Sequence, residues 1–243
     1  MRGLDKIRLI TLVLISAFLS NVSAQDNQSD FQSWFDFRTF YTIDEKWTYD
    51  GDYGLRGFVS NEDWRRAYIN PAFLYDASLS IDFRGGMRFI FTRELNESNT
   101  FEIRPWQGVR FIWPRTNFII ISQYIRLEER FTFYLDDGSS VLDFRTRYRI
   151  MAKTPNLRLL AINQTFYFLT SFEIFSNVGD VIKESFVDRT RLTFAMGYFI
   201  TQAWRLELHY IFQGSRLGSE EGNKIDVHIF RIRLRYYINY LFQ

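Results

Sequence analysis

Along most of the chain apolar and polar residues alternate with a period of two, the pattern of strands with one apolar and one polar face. Between residues 78 and 91, Leu79, Ile81, Phe83, Met87 and Phe89 share one face, and Ser80, Asp82, Arg84 and Arg88 the other. Ile103, Val109 and Phe111 oppose Glu102, Arg104 and Arg110, and Ile121, Ile125 and Leu127 oppose Tyr124, Arg126, Glu128 and Arg130. Leu142, Phe144, Tyr148 and Ile150 oppose Asp143, Arg145, Arg147 and Arg149. Leu192, Phe194, Met196 and Tyr198 then face away from Arg191, Thr193 and Gly197, and Leu206, Leu208, Tyr210 and Phe212 from Arg205, Glu207, His209 and Gln213. The last such run sets Phe230, Ile232, Leu234, Tyr236 and Ile238 against Arg231, Arg233, Arg235 and Asn239. Less regular strands fit 34–41, 47–59, 65–75 and 161–174, which makes eleven candidates.

Connections alternate in length. Short ones are expected at 43–46, 75–78, 114–117, 154–156 and 201–203, and longer polar ones at 94–100, 136–140, 177–184 and 214–224. Short turns at one end and longer loops at the other are the habit of transmembrane barrels. An even strand number is the bacterial rule. Eleven candidates therefore imply ten strands, if 34–41 lies outside the barrel, or twelve, if one is hidden. No linker or shift of composition divides the chain, so 25–243 reads as one domain.

Alternation by itself also fits a soluble sandwich, and lysine usage separates the two. Only Lys6, Lys46, Lys153, Lys183 and Lys224 occur, none of them mid-strand, while the polar faces carry arginine. A face in bulk water would use both cations. A confined lumen favours the planar guanidinium, which pairs with carboxylates and stacks on rings. Aromatic residues make up 19% of the chain, and Phe, Tyr, Met and Leu at nearly every outward position suit lipid. The expected fold is an all-β, antiparallel up-and-down transmembrane barrel of 10–12 strands.

The ends agree with export to a membrane. Residues 1–24 read as a cleaved signal peptide: Arg2, Lys6 and Arg8, an apolar run over 9–19, then the small residues of Val22-Ser23-Ala24. The apolar run is too short to span a bilayer. At the other end Ile238, Tyr240 and Phe242 alternate up to Gln243, the terminal aromatic strand that barrel insertion machinery reads, displaced by one residue. Localisation in the cell outer membrane follows, with its lipid and that machinery as partners. The sequence points to no protein partner. With no Cys and a net charge of +2, neither disulfides nor recruitment of nucleic acid enter the picture.

The segments Glu102-Ile103-Arg104-Pro105-Trp106-Gln107, Arg126-Leu127-Glu128-Glu129-Arg130-Phe131 and Arg145-Thr146-Arg147-Tyr148-Arg149, followed by Asp188-Arg189-Thr190-Arg191, resemble the bacterial outer-membrane family catalogued as domain of unknown function twenty-four-ninety. The resemblance runs from about Trp34 to the end. Members commonly have Asn where this chain has Thr190. The resemblance implies a barrel and an outer-membrane location, and no activity.

The inward face carries the candidate chemistry. Expected lumen-lining residues are Arg84, Arg88, Glu102, Arg104, Trp106, Tyr124, Arg126, Glu128, Arg130, Arg145, Arg147, Arg149, Arg191, Glu207, His209, Arg231, Arg233 and Arg235. Such arginine rows fit a salt-bridge lattice that rigidifies the lumen, or a narrow lumen that binds or passes small anionic solutes. Trp106 either stacks a sugar or fills space, and the other tryptophans, at strand ends, are expected at the membrane interface. His209 lies beside Glu207 but has no evident nucleophile, so no catalytic residue is assigned. No metal-ligand spacing or cofactor motif occurs. The alternatives are an outer-membrane enzyme and a soluble periplasmic β-sandwich that binds a ligand.

Overall fold

The computed structural model describes residues 30–58, 64–94, 97–159, 164–178, 189–215 and 224–239. The expected signal peptide, Tyr240 and Phe242 lie outside them. Thirteen strands follow in order: β1 Asp30–Thr42, β2 Trp47–Phe58, β3 Trp64–Asn70, β4 Ala72–Asp76, β5 Ile81–Glu94, β6 Thr100–Ile112, β7 Ile120–Tyr134, β8 Ser140–Lys153, β9 Leu157–Leu159, β10 Gln164–Val178, β11 Arg189–Phe199, β12 Trp204–Ser215 and β13 Lys224–Tyr237. The strands form one sheet in which β1 pairs with both β2 and β13, so the sheet closes into a barrel.

The thirteen segments make eleven staves. β3 and β4 are one stave interrupted at Pro71, which has no N–H to give the ladder. The register against β2 and β5 runs through the break without slipping, and the Pro71 carbonyl still accepts from Met87 N at 3.1 Å. β9 continues β8 along the same edge of β10. The turn expected at 154–156 is thus no turn: Thr154 N donates to Phe168 O at 2.9 Å, and the strand runs on through Leu159.

Eleven is neither of the two even numbers expected. The segment 34–41, doubtful in sequence, belongs to a full stave paired on both sides. An up-and-down sheet with an odd number of staves must close on two that run the same way. Accordingly β1 and β13 pair in parallel from Asp30↔Val227 to Phe40↔Tyr237, while the other pairings are antiparallel. The chain therefore enters at one rim and its last strand finishes at the other. Beside the finishing rim lie the connections 43–46, 77–80, 113–119 and 200–203. At the entry rim β7 turns into β8 through 135–139, with Gly138 at φ +71°, and there too lie the strand ends Val178, Arg189, Ser215 and Lys224.

The barrel is apolar outside and polar inside. Among the described residues, seventeen polar or charged side chains are buried against twelve apolar ones, while rings and aliphatic chains such as Phe35, Leu55, Phe83, Ile125, Phe172 and Phe194 lie exposed on the outer wall. That inverts a soluble sandwich and matches a wall built for lipid. The inverted core is closed by rings laid over inward glycines. Gly54 pairs with Tyr68 and Gly197 with Tyr167, and each tyrosine ring fills the space a Cβ would take. Tyr124 covers Gly108 in the same way.

Candidate functional site

The inward faces enclose a cavity of about 840 Å³. Every residue expected to line the lumen, except Glu102, borders it. Glu102 lies buried behind the surface, holding Arg104 at 2.5 Å and Arg130 at 3.3 Å. Strand alternation produces this gathering: Arg145, Arg147 and Arg149 recur every second residue on β8, and Arg231, Arg233 and Arg235 on β13.

Buried carboxylates organise the arginines into clusters. Glu128, 1% exposed, takes Arg104, Arg126 and Arg145 at 3.3, 2.9 and 2.5 Å. Glu173 takes Arg147 at 2.5 Å and Arg149 at 3.5 Å. Asp82 holds Arg84 and Arg110, Asp50 holds Arg38, and Asp52 holds Arg88. Across the parallel seam Asp36 takes Arg233 at 2.9 Å and accepts from the Tyr68 hydroxyl at 2.9 Å. Glu207 receives Arg235 and Arg233 at 3.0 and 3.7 Å and the Tyr167 hydroxyl at 2.5 Å.

Aromatic faces hold further guanidinium groups. Arg126 lies 3.8 Å above the Trp106 ring, whose indole N–H donates to Asn70 Oδ1 at 2.7 Å. Arg56 stacks on Trp34 at 4.0 Å and on Tyr68 at 4.7 Å. Trp34 therefore departs from the interfacial place expected of it: it is buried inside the barrel, because Gln32, Trp34, Asp36 and Arg38 share the inward face of β1. Trp47 and Trp113 do lie exposed at strand ends. Trp106 packs with Ala72 and Tyr124, filling one side of the lumen.

His209 is buried, with Nε2 3.1 Å from Glu207 Oε2 and Nδ1 2.7 Å from Arg231 Nη2. This fixes a neutral ring that donates from Nε2 to the carboxylate and accepts at Nδ1 from the guanidinium. Neither nitrogen is left to take a proton from a substrate. Among the described residues no group of three or more His, Asp or Glu is placed to hold a metal ion.

The charge balance decides the character of the cavity. Seventeen arginines border it, against seven carboxylates. Asp36, Asp82 and Glu102, buried behind, bring the carboxylates to ten, which leaves seven positive charges in excess among the described residues. Arg126 is buried, yet its Nη2 has no hydrogen-bond partner, and buried Nε atoms of Arg56, Arg88, Arg231 and Arg235 also lack one. Sequence reasoning missed most of the contribution of β1–β3, including Asp36, Arg38, Asp50, Asp52 and Arg56. It placed Arg110 on the inward face without counting it in the site.

A family model described as "Protein of unknown function (DUF2490)" matches residues 31–224. The chain belongs to this family. The match covers β1 to the first residue of β13, so the lining arginines of the earlier strands lie within it and Arg231, Arg233 and Arg235 beyond it. No curated protein matches the chain. Among solved structures, one titled "NanC porin structure in rhombohedral crystal form" is similar at 15% identity and a TM-score of 0.39, over 73% of this chain and 86% of that one.

Proposed function

We propose that this member of the family is an outer-membrane barrel, exported by its N-terminal signal, whose lumen binds and passes small anionic solutes. The longer polar loops expected from the sequence favour placing the entry rim at the cell exterior and the opposite rim at the periplasm. The observation that carries the reading is the excess of seven guanidinium groups around one cavity. A lattice serving rigidity alone would be nearer to balance, because unpaired like charges in a low-dielectric interior repel. An anion with two or more carboxylate or phosphate groups supplies the missing negative charge and the acceptors that the buried Arg126 Nη2 lacks. The volume agrees: about 840 Å³ falls within the roughly 300–1,000 Å³ of small-molecule sites.

Thermal unfolding of the full chain in detergent tests this. Citrate and pyrophosphate should raise the midpoint in a saturable way at constant ionic strength, whereas glucose and spermidine should not. Arg126→Gln should weaken the effect of both anions. Equal stabilisation by spermidine, or none by either anion, would refute the reading.

A further inference from the structure

At the finishing end of the barrel the inward faces carry an arc of aromatic rings. Tyr167 on β10 lies over Gly197 and reaches Glu207 on β12. Phe199 on β11 meets the Tyr167 ring edge-on at 5.8 Å, and Tyr237 on β13 stacks on Phe40 at 4.7 Å. Two cations rest on these rings. Lys153 Nζ lies 3.9 Å from the centre of the Tyr167 ring, and the Arg205 guanidinium covers both Phe199 and Tyr237, at 4.4 and 4.2 Å. Both side chains are half-buried. Each sits one step past the edge of the arginine-lined cavity: Lys153 follows Met151 on the inward face of β8, and Arg205 pairs with Arg235 on β13. Among the described residues neither has a carboxylate within 4 Å. Glu207, the acid of this arc, is taken by Arg235, Arg233, His209 and the Tyr167 hydroxyl. Arg205 Nη1 donates only to the neutral Tyr237 hydroxyl, at 3.2 Å. An aromatic face holds a cation without cancelling its charge, so both charges stay available at the mouth.

We propose that Lys153 and Arg205 form a second anion station at the finishing mouth, which takes a phosphate or carboxylate group of a solute on its way to or from the cavity. The inference rests on the reading of the lumen as an anion path. Lys153 supplies a point charge and Arg205 a planar fork, both suited to such oxygens. Conduction needs sites strong enough to fill and weak or numerous enough to empty. The cavity, with its large excess of guanidinium groups, meets the first need. Past it, Phe40, Leu74, Met151 and Leu169 offer an anion no partner, and a second pair of cations beyond that stretch gives a departing anion somewhere to go.

Isothermal titration calorimetry of the full chain in detergent, with pyrophosphate at constant ionic strength, tests the proposal. Wild type should bind in two stages, a tighter one in the cavity and a weaker one at the mouth. The double variant Lys153→Gln, Arg205→Gln should lose the weaker stage and keep the tighter one unchanged. Arg126→Gln should weaken the tighter stage several-fold and spare the weaker. The Lys153 and Arg205 substitutions strip no carboxylate of a partner, and the heat-dependent gel shift of a closed barrel confirms that each variant is folded. A single stage in wild type that the double variant leaves unchanged would overturn the station and leave the reading of the cavity standing, whereas no binding at all would overturn both. A lipid headgroup offers the same chemistry, so the titration is repeated in detergent micelles doped with phosphatidylglycerol. The weaker stage should persist there, and its loss would assign the mouth to lipid and overturn the station.

Discussion

At the residue scale the interior and the outer wall obey opposite rules. Leu208 lies mid-strand on the lipid face of β12, and Leu208→Arg should destabilise by roughly 2–4 kcal/mol, the cost of a guanidinium near the bilayer midplane. Phe83 is equally outward but only three residues into β5, so Phe83→Arg should cost about 0–1 kcal/mol, as at an interface. Urea unfolding in lipid vesicles measures both, and equal losses would contradict the facing of the strands. Inside, what counts is what a substitution leaves behind. Arg233→Ser removes the 2.9 Å partner of the buried Asp36, which keeps only Arg231 at 3.8 Å and the Tyr68 hydroxyl, so the cost should lie near the lower end of the roughly 3–5 kcal/mol of a broken buried pair. Arg191→Gln takes away a charge that donates to Gln213 at 2.8 Å and forms no ion pair within 4 Å among the described residues, and should cost much less. The same unfolding assay separates the two variants.

At the element scale the inward glycines tie neighbouring staves together. Gly197→Val drives a branched side chain into the Tyr167 ring, so it should destabilise by roughly 1–3 kcal/mol or more. Gly138→Ala, in a turn with open space around it but at φ +71°, should cost only about 1 kcal/mol. A smaller loss for Gly197→Val than for Gly138→Ala in the same assay would contradict the packing described. Most staves were legible because alternation of large apolar and charged residues is unambiguous from β5 to β8 and from β11 to β13. The first staves were harder. On β1 the inward face itself includes Trp34 and Phe40 while Ser33 and Thr39 point outward, so the two faces look alike. Pro71 split one stave into two short pieces, and Thr154 hid a continuing ladder behind a loop-like triplet. Parity was the remaining obstacle: nothing in an alternating sequence says whether the closing pair is parallel, and only the register of β1 against β13 settles it. Of the site, the arginines on β5 to β8 and on β13 were legible from their spacing. Their balance was not, because half of the compensating carboxylates lie on β1, β2 and β10, where the pattern is weakest.

At the scale of the whole molecule, eleven staves stand between the eight that leave room only for side chains and the sixteen or more that leave an aqueous channel. What projects inward then decides the bore, and long guanidinium groups stacked on Trp34, Tyr68, Trp106 and Phe175 occupy much of it. The remaining cavity is lined mid-barrel by charge and, toward the finishing rim, also by Phe40, Leu74, Met151 and Leu169. A solute entering at the entry rim would meet the arginines before this apolar stretch. Single-channel recording in planar bilayers under a salt gradient tests the central claim most directly. Wild type should give small steps whose reversal potential reports a preference for anions. Replacing Arg126 and Arg191 together by Gln should weaken that preference without leaving a buried carboxylate bare, since Glu128 keeps Arg104 and Arg145. Large, cation-selective steps from the wild type, or a preference unmoved by the double substitution, would contradict an anion-binding, arginine-lined lumen.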